Sequence, residues 1–253
     1  MFRLGIDVGG TKVEVVLIKV EKGRGESPLR WNIVDKKRVQ TLRLNGYQQV
    51  FENIADLCSE IISRSQINKN QITHLGVGYP GTVDPATSMM IEGNSKIFTD
   101  KPLATDLAKH LQLDCKVHSA NDANCFLFAE SQWGAAKHYI NQEDSIGVGI
   151  ILGTGVGAGV IIDNKIMVGN KGGASELGHM ELITSGVSCY CGLQGCAEQY
   201  LSGPAVEASY YQRMYSQIKS PPKCEDIFDL SESGEPIARA IVINYKKMLT
   251  KFL

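Results

Sequence analysis

The chain has 253 residues, 43% of them hydrophobic, which gives enough length and apolar content for one large domain or two small lobes around a substantial core. Acidic and basic residues are nearly balanced, 27 against 26, and are spread along the chain, so the formal net charge of −1 hides no tail or patch built for nucleic acid or an anionic membrane. The opening MFRLGIDVGG has no basic leader and is interrupted by Asp7, so it does not read as a signal peptide and the protein is expected in the cytoplasm.

In chain order, Phe2 to Val8, Val13 to Val20 and Asn32 to Val39 read as strands, with a polar turn from Glu21 to Arg30, and together they predict a β-meander. Asn45 is placed as a helix cap, because Val50, Ile54, Leu57 and Ile61 then recur at helical spacing, and His74 to Gly78 returns as a strand. A second helix is expected over Leu103 to Leu111, a short strand over Lys116 to Ser119, and a helix over Phe126 to Trp133. The uncharged run Ile146 to Ile162 holds six glycines and a threonine, too broken for a membrane span, and reads as a buried hairpin. Helical patterns dominate after Cys196, the last of them starting near Glu235. A glycine-linked strand pair therefore opens each half, which predicts two similar lobes, residues 1–119 and 120–253.

Both glycine turns have the composition of an anion cradle. In IDVGGTK, Gly9 and Gly10 let backbone N–H groups approach a phosphate, Thr11 and Lys12 stand beside them, and Asp7 ends the strand where a carboxylate suits hydrated Mg²⁺. LGTGVGAG, from Leu152 to Gly159, offers Thr154 and four glycines for the same work. Neither is a Walker loop, and neither leads into the helix that a dinucleotide fingerprint requires.

Seven cysteines in a reducing compartment are not expected as disulfides. Cys58, Cys115, Cys125 and Cys224 are scattered and read as small buried hydrophobes. His179, Cys189, Cys191 and Cys196 instead give one imidazole and three thiolates within eighteen residues, with Gly192 and Gly195 for tight turns. That is the ligand set of a closed structural Zn²⁺ site.

DVGGTK resembles the first phosphate motif of the ROK family of sugar kinases, and further segments follow in the family's order. GYPG at Gly78 to Gly81 resembles its sugar-side loop, EGNSKIFTDKPL the segment with its substrate-contacting Asn, and NDANC at Asn121 to Cys125 its catalytic stretch. LGTGVGAG is similar to the second phosphate motif, and ELGHM and CYCGLQGCAEQYLSG to the two signature segments. The resemblance implies an α/β chain of the two-lobed actin/hexokinase-like (ribonuclease H-like) ATPase fold, with phosphate contacts from Asp7, Gly9, Gly10, Thr11 and Lys12 and from Gly153, Thr154, Gly155 and Gly157. It implies Asp122 as general base and sugar contacts from Gly81, Asn94, Asn121, Asp122, Glu176, His179 and Glu198. Asp122 also reads as a plain cap of the following helix.

The activity so implied is transfer of phosphate from ATP to the 6-hydroxyl of glucose, fructose, mannose or an N-acetylhexosamine, with Mg²⁺ and a structural Zn²⁺. The CYCG and GNS segments look closest to the fructokinase and N-acetylglucosamine kinase branches. Family members continue with another strand and a Gly-Gly segment lining the adenosine pocket, so the C-terminal lobe is expected to be incomplete at Leu253, and a sugar-binding protein with impaired catalysis is the alternative. A ROK-type regulator is disfavoured, since the first strand at Phe2 leaves no room for a helix-turn-helix. Many relatives are dimers, and the resemblance leaves a homodimer open.

Overall fold

The computed structural model describes residues 1–21, 30–93, 96–140, 142, 144–215, 217–220 and 222–253. The meander is present as β1 (Phe2–Val8), β2 (Lys12–Glu21) and β3 (Arg30–Gln40). It is followed by α1 (Gly46–Arg64), β4 (Ile72–Tyr79), a small hairpin of β5 (Gly81–Val83) and β6 (Met90–Gly93), α2 (Leu103–His110) and β7 (Lys116–Asn121). The second half begins with α3 (Asp122–Trp133) and α4 (Lys137–Ile140), then β8 (Ile146–Leu152), β9 (Val156–Ile162) and β10 (Lys165–Ile166). It ends in α5 (Glu198–Leu201), α6 (Gly203–Met214), α7 (Cys224–Glu232) and α8 (Pro236–Phe252).

Five strands form one mixed sheet in the order β3-β2-β1-β4-β7, antiparallel across the meander and parallel from β1 through β4 to β7. Alternation decides its faces. Leu4, Ile6 and Val8, Val13, Val15 and Leu17, and Leu75, Val77 and Tyr79 all point to one side, where Val50, Ile54, Leu57 and Ile61 of α1 and Leu103 and Leu107 of α2 meet them. Each such side chain contributes about 1.5–3 kcal/mol by leaving water. The parallel register sets Asp7 beside Gly78 and Gly78 beside Ala120, so the strand ends that carry Asp7 and Asn121 emerge together.

The second sheet is smaller, in the order β10-β9-β8, antiparallel throughout, and α3 packs across β8 and β9. This is an α/β architecture with two larger sheets, each opening in a glycine-turned hairpin, and the separate two-stranded β5–β6 sheet. Among the described residues no helix is long and apolar enough to cross a membrane.

Several expectations need correction. Asn45 stands at the N-cap of α1 as expected, but it ends a short 3₁₀ turn and its side chain makes no capping bond; Gly46 follows at φ +83°. The third helix begins at Asp122 rather than Phe126, since Asn121 caps it. Of the four scattered cysteines only Cys58 is buried; Cys115 and Cys224 are half-buried and Cys125 is exposed. The β5–β6 hairpin had no expected counterpart, for its strands are too short to show alternation. Most of the turn read from Glu21 to Arg30 lies outside the described residues, as does Asn94.

Candidate functional site

One cleft of about 760 Å³ gathers the predicted residues. Asp7, Gly9 to Lys12 and Gly81 reach it from the first half, Asn121 and Asp122 from the junction of β7 and α3, and Gly153 to Gly155, Gly157, Glu176, His179, Cys191 and Glu198 from the second half. Cys189 and Cys196 do not line it; they are buried behind.

Each glycine turn closes on itself and leaves donors over. The Gly9 N–H bonds the Lys12 carbonyl at 2.9 Å, and the buried Thr41 ties the turn down through its hydroxyl on the Gly9 carbonyl at 2.7 Å. In the other turn, the Gly153 N–H bonds the Gly155 carbonyl at 2.9 Å, and the Gly153 carbonyl accepts from Gly203 at 2.8 Å. Among the described residues no protein acceptor takes the N–H groups of Gly10 and Thr11 or of Thr154 and Gly155. Such adjacent unpaired donors suit an anion. Lys12 is exposed on the cleft, and Arg38, which no motif marked, lies at its rim in a 2.7 Å ion pair with Glu14. Asp7 opens on the cleft, yet enough protein surrounds it that burial pushes its carboxyl up, with Arg38 pulling it down and Glu14 pushing it up again.

Asp122 and Asn121 divide two duties that one residue could have had to share. The Asn121 carbonyl oxygen caps α3 by accepting from the Asn124 N–H at 3.0 Å, and its amide donates to the Gly81 carbonyl at 3.1 Å. One N–H of that amide is left for a ligand. Asp122, first residue of the helix, accepts the Ala123 N–H at 2.8 Å. Burial pushes its carboxyl up to about 6, offset by the Ala123 bond and reinforced by Asp7 and Glu176. It is a carboxylate poised near neutrality, facing a cleft.

Glu176 starts a 3₁₀ turn that ends at His179, and Glu198 starts α5. Neither acid is free-standing. Glu176 Oε1 accepts from the Thr82 hydroxyl at 2.9 Å, which links the β5–β6 hairpin to the second half. Glu198 is buried, and its Oε2 accepts the Val156 N–H at 2.9 Å, which ties α5 to the second glycine turn. Buried Ser175 donates to the Oδ1 of buried Asn124 at 3.2 Å, so the Glu176 turn is pinned to the start of α3. Gly81 is required by close approach: a Cβ there would run into the Glu92 carbonyl of β6. Thr82, Glu92 and Tyr190 are cleft residues that sequence reasoning missed; Thr82 follows Gly81 directly, and Tyr190 sits between two cysteines, but neither carries a pattern of its own.

The ligand atoms of His179, Cys189, Cys191 and Cys196 lie within 4.8 Å of one another. Cys191 and Cys196 sulfurs are 3.6 Å apart, too far for a disulfide and near the roughly 3.8 Å edge of a tetrahedral Zn–thiolate site. Cys189 Sγ is 3.6 Å from His179 Nδ1, so that ring nitrogen faces the sulfurs. Burial alone would push the Cys189 thiol up, but donors led by the Cys191 backbone N–H bring it below its ordinary value, while burial drives Cys196 up to about 12. Three thiolates cannot coexist here without a cation to balance them, and the donor set fits Zn²⁺. The knuckle depends on Gly195, at φ +74°, where a side chain would meet the Ile183 carbonyl.

The model of the ROK family matches residues 3–253. The chain belongs to the ROK family. Within it, the chain is 32% identical over 255 residues to the N-acetyl-D-glucosamine kinase of Citrobacter koseri, a match covering 97% of this chain and 76% of that one. A ROK family glucokinase from Streptomyces griseus, solved with glucose and AMPPNP, superposes with a TM-score of 0.77 at 25% identity, over 98% of this chain and 76% of that one. The ROK hexokinase of Thermus thermophilus gives a TM-score of 0.71 at 26% identity, over 98% and 74%. The fold of this ROK chain is thus the actin-like ATPase fold that the motifs implied.

Proposed function

We propose that this ROK chain is an ATP-dependent kinase that phosphorylates the 6-hydroxyl of a hexose or N-acetylhexosamine. The observation that carries the reading is the single cleft in which Asp122, Glu176, His179 and Glu198 face two glycine turns with unpaired N–H donors. The relatives named as kinases of glucose and N-acetylglucosamine support it.

Glu176, His179, Glu198 and the spare amide hydrogen of Asn121 bind sugar hydroxyls, which need partners that accept and donate together. Asp122 takes the proton from the reacting hydroxyl as its oxygen attacks the γ-phosphorus of ATP and the bond to the ADP oxygen breaks. Gly10, Thr11, Thr154, Gly155 and Lys12 hold the phosphates. The cleft also carries Asp7, Glu14 and Glu92 and so is rich in acid. Asp7 would hold Mg²⁺, which when bound neutralises charge on the transferring phosphoryl group. His179, Cys189, Cys191 and Cys196 would hold Zn²⁺ with no open position, and through it they orient Glu176 and Glu198 without touching the reaction. Residues 1–119 and 120–253 act as two lobes that close on the cleft and exclude water.

A coupled assay of ADP formation over glucose, fructose, mannose, N-acetylglucosamine and N-acetylmannosamine tests this, with ³¹P and ¹³C spectra locating the phosphate. The expected result is a 6-phosphate from at least one sugar. Absence of both turnover and hexose binding across the panel would remove the reading.

A further inference from the structure

Tyr190 stands in an unusual place for a tyrosine. It is flanked by Cys189 and Cys191, whose sulfurs belong to the cluster with His179 and Cys196, and its ring lies on the cleft wall. The loop is held rigidly, with the Cys189 N–H on the Leu193 carbonyl at 2.8 Å and the Gly192 N–H on the Cys189 carbonyl at 3.0 Å. The side chain is not held in the same way. It is 57% exposed, and what anchors it is an edge contact with the His179 ring, centroids 5.2 Å apart at 84°, together with hydrogen bonding of its hydroxyl to His179 and toward the Glu198 carboxylate.

The first of these bonds joins the Tyr190 hydroxyl to His179 Nε2 at 3.0 Å. With Nδ1 turned to the sulfurs, Nε2 is the only ring nitrogen His179 can offer to anything in the cleft. A phenolic hydroxyl donates and accepts as a sugar hydroxyl does, and this one lies among the residues that would receive a sugar. We infer that the Tyr190 hydroxyl and a hexose hydroxyl compete for one seat, His179 Nε2, so that Tyr190 is a built-in competitor which the sugar must displace. The inference rests on reading the cleft as a hexose site.

The energetics are suited to a regulator of affinity rather than a block. Hydrogen bonds to His179 and Glu198 are each a small net gain, a sugar hydroxyl would regain both, and an exposed ring can swing away without opening a cavity. The apparent dissociation constant of the sugar is raised by the fraction of chains in which Tyr190 holds the seat. A ligand lacking a hydroxyl at that point gains nothing by displacing the phenol, so the device also discriminates against deoxy sugars at that position.

The test is calorimetric titration of the full chain, supplied with zinc, with glucose and N-acetylglucosamine, comparing wild type, Tyr190→Phe and Tyr190→Ala at equal zinc content. Tyr190→Phe should bind the sugar about three- to tenfold more tightly, the scale of one net hydrogen bond. An unchanged or weaker dissociation constant in Tyr190→Phe overturns the inference. Weakening in Tyr190→Ala with no change in Tyr190→Phe overturns it too, by showing a stacking platform. The imidazole ¹H–¹⁵N signals of His179 give a readout that needs no sugar: Tyr190→Phe keeps the ring and should still shift the Nε2 resonance. Coincident spectra overturn the inference, whereas a shifted resonance in a chain that binds no hexose sustains the Tyr190–His179 contact and removes the hexose-kinase reading instead.

Discussion

The two halves of the molecule place their functional groups by different means. In the first, Asp7 and Asn121 ride on strands whose register is set by a continuous apolar core shared by β1, β2, β4, α1 and α2. In the second, Glu176, His179 and Glu198 sit on short turns above three small clusters, one around Val156, Leu182 and Leu201, one around Leu127 and Ile161, and one among α6, α7 and α8. What holds those turns is specific: the sulfur cluster, Thr82 on Glu176, Ser175 on Asn124, and Val156 on Glu198. A change in a close-packed core is felt as lost stability while the surrounding packing keeps the strand register, whereas a side chain positioned by one bond moves when that bond is lost. Changes in the first half should therefore cost stability first, and changes in the second should cost function first.

The largest expected effect lies where the halves meet. Asp122→Asn should lower kcat by about a hundredfold to ten-thousandfold while the hexose dissociation constant stays within about twofold, because only proton transfer is removed. The same variant should be more stable at neutral pH. The carboxyl of Asp122 is raised from 3.8 to about 6, so its contribution to stability is present below 3.8 and lost as pH rises through about 6. At pH 7 the burial of its charge costs at most about 3 kcal/mol, which Asn avoids. For the wild type, kcat/KM should fall about tenfold per unit as pH drops below 6, since the base is then protonated. A flat profile between pH 7 and 5 would take the base role from Asp122.

Next in size is a matched pair of substitutions. Cys191→Ser should lose the metal, measured as about one zinc per chain falling toward none, and weaken hexose binding tenfold or more. Leu75→Ala, in the centre of the sheet core, should cost about 2–5 kcal/mol in denaturant unfolding yet leave zinc content and hexose affinity of the folded chain unchanged. If Cys191→Ser keeps its sugar affinity after losing metal, the sulfur cluster does not orient Glu176 and Glu198, and the contrast between the halves fails.

Much of this was legible in the sequence, for reasons that differ by region. The meander, α1 and the β8–β9 hairpin are long enough for alternation or helical spacing to show, and the Cys-Cys-Cys-His set is specific because few other arrangements need three thiolates so close. Asn45 and Asn121 both stand at helix N-caps and look alike in sequence, yet only Asn121 bonds a backbone N–H of its helix. Only the backbone decides which side chain reaches an N–H, and at Asn121 that assignment frees Asp122 from capping. Thr82, Tyr190 and Arg38 were not legible at all. Their roles come from contacts across 94, 11 and 24 positions of chain, with Glu176, His179 and Glu14 respectively, and no local pattern encodes them.

Thr82 gives the smallest effect and the finest test of the comparison. Its hydroxyl is the direct tie between the β5–β6 hairpin and Glu176, and the residue is 8% exposed, so water cannot readily replace the bond if it is lost. Thr82→Val keeps the volume and the β-branch, which suits a strand, and removes only the donor. Val83 beside it remains packed in the first core, so the hairpin should hold its place. Glu176 would then lose the bond that sets its rotamer and keep its charge. The expected cost is about 1 kcal/mol, read as a roughly fivefold rise in the hexose dissociation constant with a melting temperature within a few degrees of wild type. Thr82→Ser, which restores the hydroxyl, should recover most of the affinity. The opposite pattern, a large loss of stability with unchanged affinity, would mean that Thr82 serves the core and that Glu176 is held by something else.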